Sequence, residues 1–452
     1  MPMRFDGFES LLSFQARSLP HAPALVYERG EEQQVCTYGE LFLLIQQRAK
    51  ALRAAGCHSL GVLCDGSFSC IIEIFAAVLG GKRVSLFNEN TPDELLFGQV
   101  ASAQVDCLWG DGELCEVLSP YIVKEAPGGA GQILFFTSGT TSVSKAVVLT
   151  DKSLMASAYN GSALLPLTQA DRLLCLLPLD HVFGFVCGLL WGLSCGAAVA
   201  LGRGPRHYGD DCGFFKPTAL SAVPLLLGFL LQHRAINPEL QLVLVGAGGC
   251  PPAILQGAKA MGLRVHFGYG LTETSSGVAL SLGEDPYAMT VCPEDTLSIA
   301  PDGEVLIYAP TCLMQGYWQH PEDTAAAVKN GVLYTGDVGR LDEQGRLILT
   351  GRKKEMLVLP DGTKLFLPEY EGAIREALGR EGCIVEGKTG PILLLEGVAQ
   401  DTAPLWEKLL PLIRQRPRSQ QIVKIDFYGG PLPRTASGKI MRWAIQRKGE
   451  QP

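Results

Sequence analysis

Regular alternation between two hydrophobic periods is the feature that most restricts how this chain can fold. Residues 41–55 carry apolar side chains at helical spacing, 61–64 read as a short buried strand, 71–79 as a second helix and 84–87 as a second strand. The succession returns at 173–177, 219–224, 226–233, 240–245 and 265–267. Strands separated by helices pair in parallel, and a parallel sheet must be covered on both faces. Between 297 and 349 the pattern changes to short strands divided by the turn signals Pro301-Asp-Gly303 and Asp342-Glu-Gln-Gly345, which predicts antiparallel β structure. A chain of 452 residues exceeds one ordinary core. The segment after Gly351-Arg352 holds two helical stretches and a few strands, enough for a small separate domain.

Charge and cysteine usage narrow the class. A net charge of -8, with no cluster of Lys or Arg, argues against a nucleic-acid partner, which needs a basic face to displace counterions. The fourteen cysteines are scattered singly without a C-x-x-C pair, so neither a zinc ribbon nor a thioredoxin-type motif is supported, and they read as small buried apolar residues. No signal-like leader opens the chain, so a cytoplasmic location is expected. Residues 182–202 run without a charge and are nearly long enough to span a bilayer. Several glycines, two cysteines and the lack of aromatic or basic flanks instead predict a buried helix followed by a strand, and no integral membrane segment.

The first chemical signal is Ile133-Leu-Phe-Phe-Thr-Ser-Gly-Thr-Thr-Ser-Val-Ser-Lys145-Ala-Val-Val-Leu-Thr150. Residues 133–136 and 146–149 read as strands, so a loop of hydroxyls, one glycine and a terminal lysine joins them. Hydroxyls, exposed backbone N–H groups and an ammonium form a cradle for a polyphosphate. A Walker A loop is excluded, because Ser144 replaces its second glycine, Ala146 replaces its magnesium-binding hydroxyl, and a strand follows where a helix is required. A plain Ser/Thr-rich surface turn is the other reading of this segment alone.

Further motifs bear on that choice. Thr37-Tyr-Gly-Glu-Leu41, Thr137 to Lys145, Leu177-Pro-Leu-Asp-His-Val-Phe-Gly184, Gly268-Tyr-Gly-Leu-Thr-Glu-Thr274, Tyr334-Thr-Gly-Asp337, Gly351-Arg-Lys-Lys354 and Pro433-Arg-Thr-Ala-Ser-Gly-Lys439 follow one another along most of the chain. In this order they resemble the adenylate-forming acyl-CoA synthetases and ligases, the AMP-binding enzymes, in their fatty and aryl acid branch. The resemblance implies a large N-terminal domain, residues 1–351, of two doubly wound α/β subdomains plus a β-barrel-like part. It implies a small mobile α+β C-terminal domain, residues 352–452, that carries a catalytic lysine.

The same resemblance implies roles for particular residues. Thr137, Ser138, Gly139, Thr140, Thr141 and Lys145 would hold the phosphates of ATP. Gly246, Ala247, Gly248, Tyr269 and Gly270 would receive the adenine, although glycines after a strand also make an ordinary turn and Tyr269 alone would pass for a core tyrosine. Thr272 would bind the α-phosphate and Glu273 would bind Mg²⁺, a hard cation that takes oxygen ligands. Asp337 would accept from the ribose hydroxyls and Arg352 would offer its planar donor fork to ribose or phosphate. Lys439 would bridge carboxylate and α-phosphate, Lys354 would be the hinge, and His181 belongs to the acyl gate.

The implied reaction is attack of a carboxylate on ATP to give an acyl-adenylate, then transfer to a thiol, from coenzyme A or from the phosphopantetheine of an acyl carrier protein. Amino-acid-activating relatives carry an aspartate, usually in a Phe-Asp motif, to hold the substrate ammonium. This chain reads Asp180-His181-Val-Phe-Gly, and the run Ala222-Val-Pro-Leu-Leu-Leu-Gly-Phe-Leu-Leu231 is wholly apolar, which suits an apolar acid as well as a buried helix. Ser142, Ser144 and Ala146 depart from the family's usual glycine, proline and glycine. That departure leaves a degenerate nucleotide-binding paralogue as the nonenzymatic alternative, against which Glu273, Asp337, Arg352 and Lys439 argue.

Overall fold

The structure is a computed structural model that describes every residue except 1, 138–144, 249, 359–363, 388, 435–439, 441–444 and 446–452. The chain divides into two compact units, the first formed by Met1–Ser298, Leu306–Thr335 and Leu341–Ile348, the second by Ile299–Val305, Gly336–Arg340 and Leu349–Pro452.

Two sheets organise the first unit. One has the strand order Gly316–Tyr317, Ala146–Thr150, Gln132–Phe136, Arg83–Asn88, Ser59–Cys64, Cys107–Trp109. Its last four strands are parallel, as the helix-strand alternation requires, and Ala146–Thr150 runs antiparallel to Gln132–Phe136 in the register Phe135↔Val147. The other sheet places Leu242–Val245, Ala219–Ala222, Arg172–Cys175 and Ala198–Leu201 in parallel at its centre. Arg264–Leu271 joins them in parallel and then turns back antiparallel to Ser276–Ser281. Central strands such as Ser59–Cys64 and Leu242–Val245 are buried along their whole length, the signature of a sheet covered on both faces. One core cluster packs Phe8, Ile45, Ile71, Phe75, Phe135 and Phe185 together, and a second gathers Leu220, Leu227, Val243 and Val245.

Local sequence explains several boundaries. The Thr37-Tyr-Gly-Glu-Leu41 element starts the helix Tyr38–Ala54 with a capping box, in which Glu40 N donates to Thr37 Oγ1 at 3.3 Å and Thr37 N donates to Glu40 Oε2 at 2.8 Å. Residues 182–202 form the expected buried helix and strand, but the helix is divided. Val182–Phe185 and Trp191–Ser194 flank a π-helical turn over Val186–Leu190, before the strand Ala198–Leu201. Cys187 O, in the widened turn, accepts from Ser221 Oγ at 2.7 Å. Among the described residues no helix is long and apolar enough to cross a membrane.

The second unit contains a three-stranded sheet in which Gly382–Gly387 is antiparallel and Lys424–Phe427 parallel to the central strand Gly390–Leu395. The helices Leu367–Leu378 and Ala403–Arg414 supply Tyr370, Ile374, Leu409 and Ile413 to a separate core with Ile384 and Leu393. The turn Pro301-Asp-Gly303 is closed by Ala300 N donating to Glu304 O at 2.8 Å, with Gly303 at φ 90°. Asp342-Glu-Gln-Gly345 turns with Gly345 at φ 74°.

Candidate active site

The phosphate-loop segment is a hairpin whose base is tied by Thr137. Its N–H and Oγ1 both donate to Lys145 O, at 2.9 and 3.2 Å. Ser138, Gly139, Thr140 and Thr141 lie outside the described residues. Lys145 Nζ is 2.9 Å from Asp323 Oδ2 and 5.3 Å from the centre of the Tyr317 ring.

Tyr317 connects this loop to the expected metal ligand. The two-residue strand Gly316–Tyr317 pairs antiparallel with Val147 and Val148, directly after Lys145. From there the Tyr317 hydroxyl donates to Glu273 Oε1 at 2.7 Å. Burial, then the charge of Glu273, raises the Tyr317 phenol far above its ordinary range, so it stays protonated and can donate to Glu273.

Glu273 is presented by a turn that its neighbours hold rigid. Thr272–Thr274 forms a single 3₁₀ turn after the strand Arg264–Leu271, and Ser275 follows in the left-handed region at φ 55°. Thr274 Oγ1 accepts from Leu271 N and donates within the turn, Met314 N donates to Glu273 O at 2.8 Å, and Ser275 Oγ donates to Cys312 O at 2.7 Å. Gly270 is obligatory here, since a Cβ would lie 1.7 Å from Ser276 O. Tyr269, one residue earlier, is buried. Thr272 and Glu273 therefore stand on a fixed support beside Tyr317 and the loop base.

The adenine segment lies at the carboxyl end of the strand Leu242–Val245. Gly246 N donates to Ala222 O at 3.2 Å, and a Cβ on Gly246 would lie 2.7 Å from the Phe183 ring. Ala247 has φ 63°, a left-handed conformation that costs a non-glycine residue about 1–2 kcal/mol, and Gly248 follows. Carboxyl ends of parallel strands are where open α/β sheets bind ligands.

His181 is exposed at the start of the divided helix, and its Nδ1 is 3.8 Å from Asp180 Oδ2. Asp180 itself is buried and accepts from Asn88 Nδ2 at 3.1 Å. Burial raises its carboxyl above the usual range, against the opposing influence of His181 and Asn88. Leu226, Leu227 and Leu230 of the helix Pro224–Gln232 are core, whereas Leu225 is 84% exposed and Phe229 37%.

In the second unit the structure joins two residues separately expected to bind the nucleotide. Arg352 Nε is 2.7 Å from Asp337 Oδ1, with Asp337 buried and Arg352 exposed. Glu304 supports them, accepting from Gly336 N at 2.7 Å and pairing with Lys353 Nζ at 2.5 Å. Lys439 lies outside the described residues, as does the side chain of Lys354.

Two residues of this constellation escape a reading of sequence motifs, Tyr317 and Asp323. The available signal was their position in Gly316-Tyr-Trp-Gln-His-Pro-Glu-Asp323, an aromatic-rich segment closing the antiparallel region. Among the described residues the groups fit ATP with Mg²⁺: Thr137 and Thr272 offer hydroxyls, Lys145 an ammonium and Glu273 a hard oxygen ligand.

Comparison with known proteins agrees with this chemistry. Residues 125–318 match the sequence model of the AMP-binding enzymes. A 2-succinylbenzoate–CoA ligase of Bacillus velezensis is 30% identical over 489 aligned residues, covering 96% of this chain and 97% of the relative. A long-chain-fatty-acid–CoA ligase of Bacillus subtilis is 28% identical over 343 residues, 69% of this chain, and the chain spans only 60% of that relative's length. Among solved structures, the o-succinylbenzoate CoA synthetase of Bacillus subtilis with its acyl-adenylate intermediate superposes with a TM-score of 0.81 at 24% identity, over 96% of this chain and 97% of the other. An anthranilate CoA ligase in complex with anthranoyl-AMP gives 0.80 at 18% identity, over 99% and 98%. By sequence over nearly its full length, and by fold, the chain belongs to the AMP-binding enzyme family, as an ATP-dependent acid–CoA ligase.

Proposed function

We propose that this enzyme activates a compact apolar or aryl carboxylic acid and passes the acyl group to coenzyme A. The observation that carries the reading is the junction at Tyr317, which holds Glu273 and adjoins the phosphate-loop base at Lys145. It gathers the groups needed to bring two anions together, a carboxylate and a triphosphate.

In the first step a carboxylate oxygen bonds to the α-phosphorus, the bond to the bridging oxygen of the β-phosphate breaks, and pyrophosphate leaves. Lys145 balances phosphate charge, the hydroxyls of Thr137 and Thr272 hydrogen-bond to the phosphates, and Asp337, paired with Arg352, orients the ribose hydroxyls. Glu273 would hold Mg²⁺, which when bound would supply countercharge for the pyrophosphate leaving group. Gly246, Ala247, Gly248 and Tyr269 form the adenine side, His181 the mouth of the acyl site, and Lys439 the cation for the α-phosphate. In the second step the thiol attacks the acyl carbon and AMP departs, after a rearrangement about Lys354 at the boundary of residues 1–351 and 352–452.

Two observations support the acid class. Asp180 is buried against Asn88, which argues against its receiving a substrate ammonium, and an ammonium buried there without that partner would cost several kcal/mol. Phe183 seats on Gly246 and narrows that end of the site. The full-length match to 2-succinylbenzoate ligases, against a partial one to long-chain fatty acid ligases, points to an aryl acid. The test is pyrophosphate release with 2-succinylbenzoate, benzoate, anthranilate, medium and long fatty acids and the common amino acids, each followed by coenzyme A or a phosphopantetheinyl carrier protein. Turnover with an amino acid and none with apolar acids would overturn the reading. All fourteen cysteines are free thiols, which supports a reducing, cytoplasmic location.

A further inference from the structure

The Lys145 ammonium is paired with a carboxylate of its own chain. Asp323 Oδ2 is 2.9 Å from its Nζ, and the lysine holds the Asp323 carboxyl below its usual range, so the pair is ionic at neutral pH. Asp323 does not reach the lysine by chance of a flexible chain. It stands in the short helix Pro321–Ala327, whose Thr324 accepts from Tyr317 N at 2.9 Å and donates to His320 O at 2.9 Å. Tyr317 is in turn paired with Val147, two residues beyond Lys145. A second side chain faces the same oxygen, since His320 Nδ1 lies 3.5 Å from Asp323 Oδ2.

A carboxylate oxygen at this distance offers an ammonium what a phosphate oxygen offers, a negative charge and a lone pair. We propose that Asp323 is a positioning residue that stands in for the polyphosphate of ATP, holding Lys145 aimed across the site at rest and yielding it when the β- and γ-phosphates bind. The inference rests on the nucleotide reading above. Lys145 is never left unpaired during the exchange, and Asp323 falls back on His320. Repulsion between the displaced carboxylate and the polyphosphate weakens ATP binding and speeds pyrophosphate release, because the lysine is recaptured as the product departs.

Calorimetric titration of the full chain with ATP, inorganic pyrophosphate and AMP, each with Mg²⁺ and without acid substrate, tests this. Asp323→Asn should bind ATP and pyrophosphate about three- to fivefold more tightly, the scale of one exposed charge pair. AMP affinity should stay at the parent value, and Asp323→Glu should restore parental binding of all three. In steady state the Asn variant should show lower KM for ATP and stronger inhibition by pyrophosphate, a split that loss of structure would not produce. Asp323→Ser gives an independent measurement should the Asn variant fold poorly. Unchanged or weaker ATP and pyrophosphate binding, or equal tightening for AMP, overturns the role of Asp323 alone. A parent protein that binds neither ATP nor pyrophosphate overturns the nucleotide reading and this inference with it.

Discussion

The hydroxyl of Tyr317 donates to Glu273 Oε1 at 2.7 Å, so the expected magnesium ligand is held by a side chain from the segment that also borders Lys145. A hydrogen bond to an ionised group contributes about 1.5–3 kcal/mol, less where water competes. Its loss costs the fold no more than that and leaves Glu273 without the donor that positions it.

Tyr317→Phe removes that donor and keeps the ring over Lys145. The Mg²⁺ concentration giving half-maximal pyrophosphate release should rise about tenfold, with the unfolding temperature unchanged within a few degrees. Equal Mg²⁺ dependence in both proteins would show that Glu273 is positioned by its turn alone.

Gly270→Ala tests the support beneath Glu273. The added Cβ meets a backbone carbonyl, Ser276 O, at 1.7 Å, and a backbone group cannot rotate away. The strand pair must separate, at a cost of about 3 kcal/mol or more. Thermal unfolding of purified variant and parent measures it, and a variant as stable as the parent would refute the close approach.

Asp295 gives stability a pH dependence. Burial, reinforced by Glu294, pushes its carboxyl up to about 7, and Asn160 Nδ2 donates to its Oδ2 at 3.1 Å. The unfolded chain releases this proton near pH ~4. Between about pH 4 and 7 the native state thus binds the extra proton, and stability falls as pH rises through that window. Asp295→Asn removes the loss and should be more stable than the parent at pH 7.5 by on the order of 2–4 kcal/mol, with little gain near pH 4. Urea unfolding at several pH values decides it, since curves that stay parallel would mean Asp295 does not titrate there.

Arg352→Ala removes the ion pair between Arg352 and the buried Asp337. The KM for ATP should rise about tenfold while the acid KM changes little, as loss of a ribose-orienting group requires. A fall in kcat with unchanged KM for ATP would move Arg352 away from the nucleotide.

Lys439→Ala should abolish adenylate formation and spare thioester synthesis from a supplied acyl-adenylate. Pyrophosphate release and coenzyme A consumption, assayed separately, read the two half-reactions. Equal loss of both would count against a role confined to the first.

The fold was legible wherever the two hydrophobic periods were clean. Residues 133–136 and 146–149 read as strands around a loop, and they are the two arms of an antiparallel hairpin. The π turn at Val186–Leu190 was not legible, because it depends on packing: Gly188 sits against Cys175 and Gly192 against Val199. Periodicity alone shows only an apolar helix there. Among the residues expected to bind nucleotide or metal, Glu273, Asp337 and Arg352 stand in compact motifs. Tyr317 and Asp323 did not, since their meeting with Glu273 and Lys145 depends on a two-residue strand finding its register on Val147 and Val148. Such long-range pairing leaves no local pattern to read.

That same short strand ends the six-stranded sheet. An uncovered edge offers free N–H and C=O groups to any other chain, and here the strand beneath it, Ala146–Thr150, is almost entirely apolar. Gly316–Tyr317 occupies this edge with just two residues, too few to template a further strand. The segment that carries Tyr317 to the site is therefore also a guard against self-association, and variants that loosen it should lose solubility together with activity.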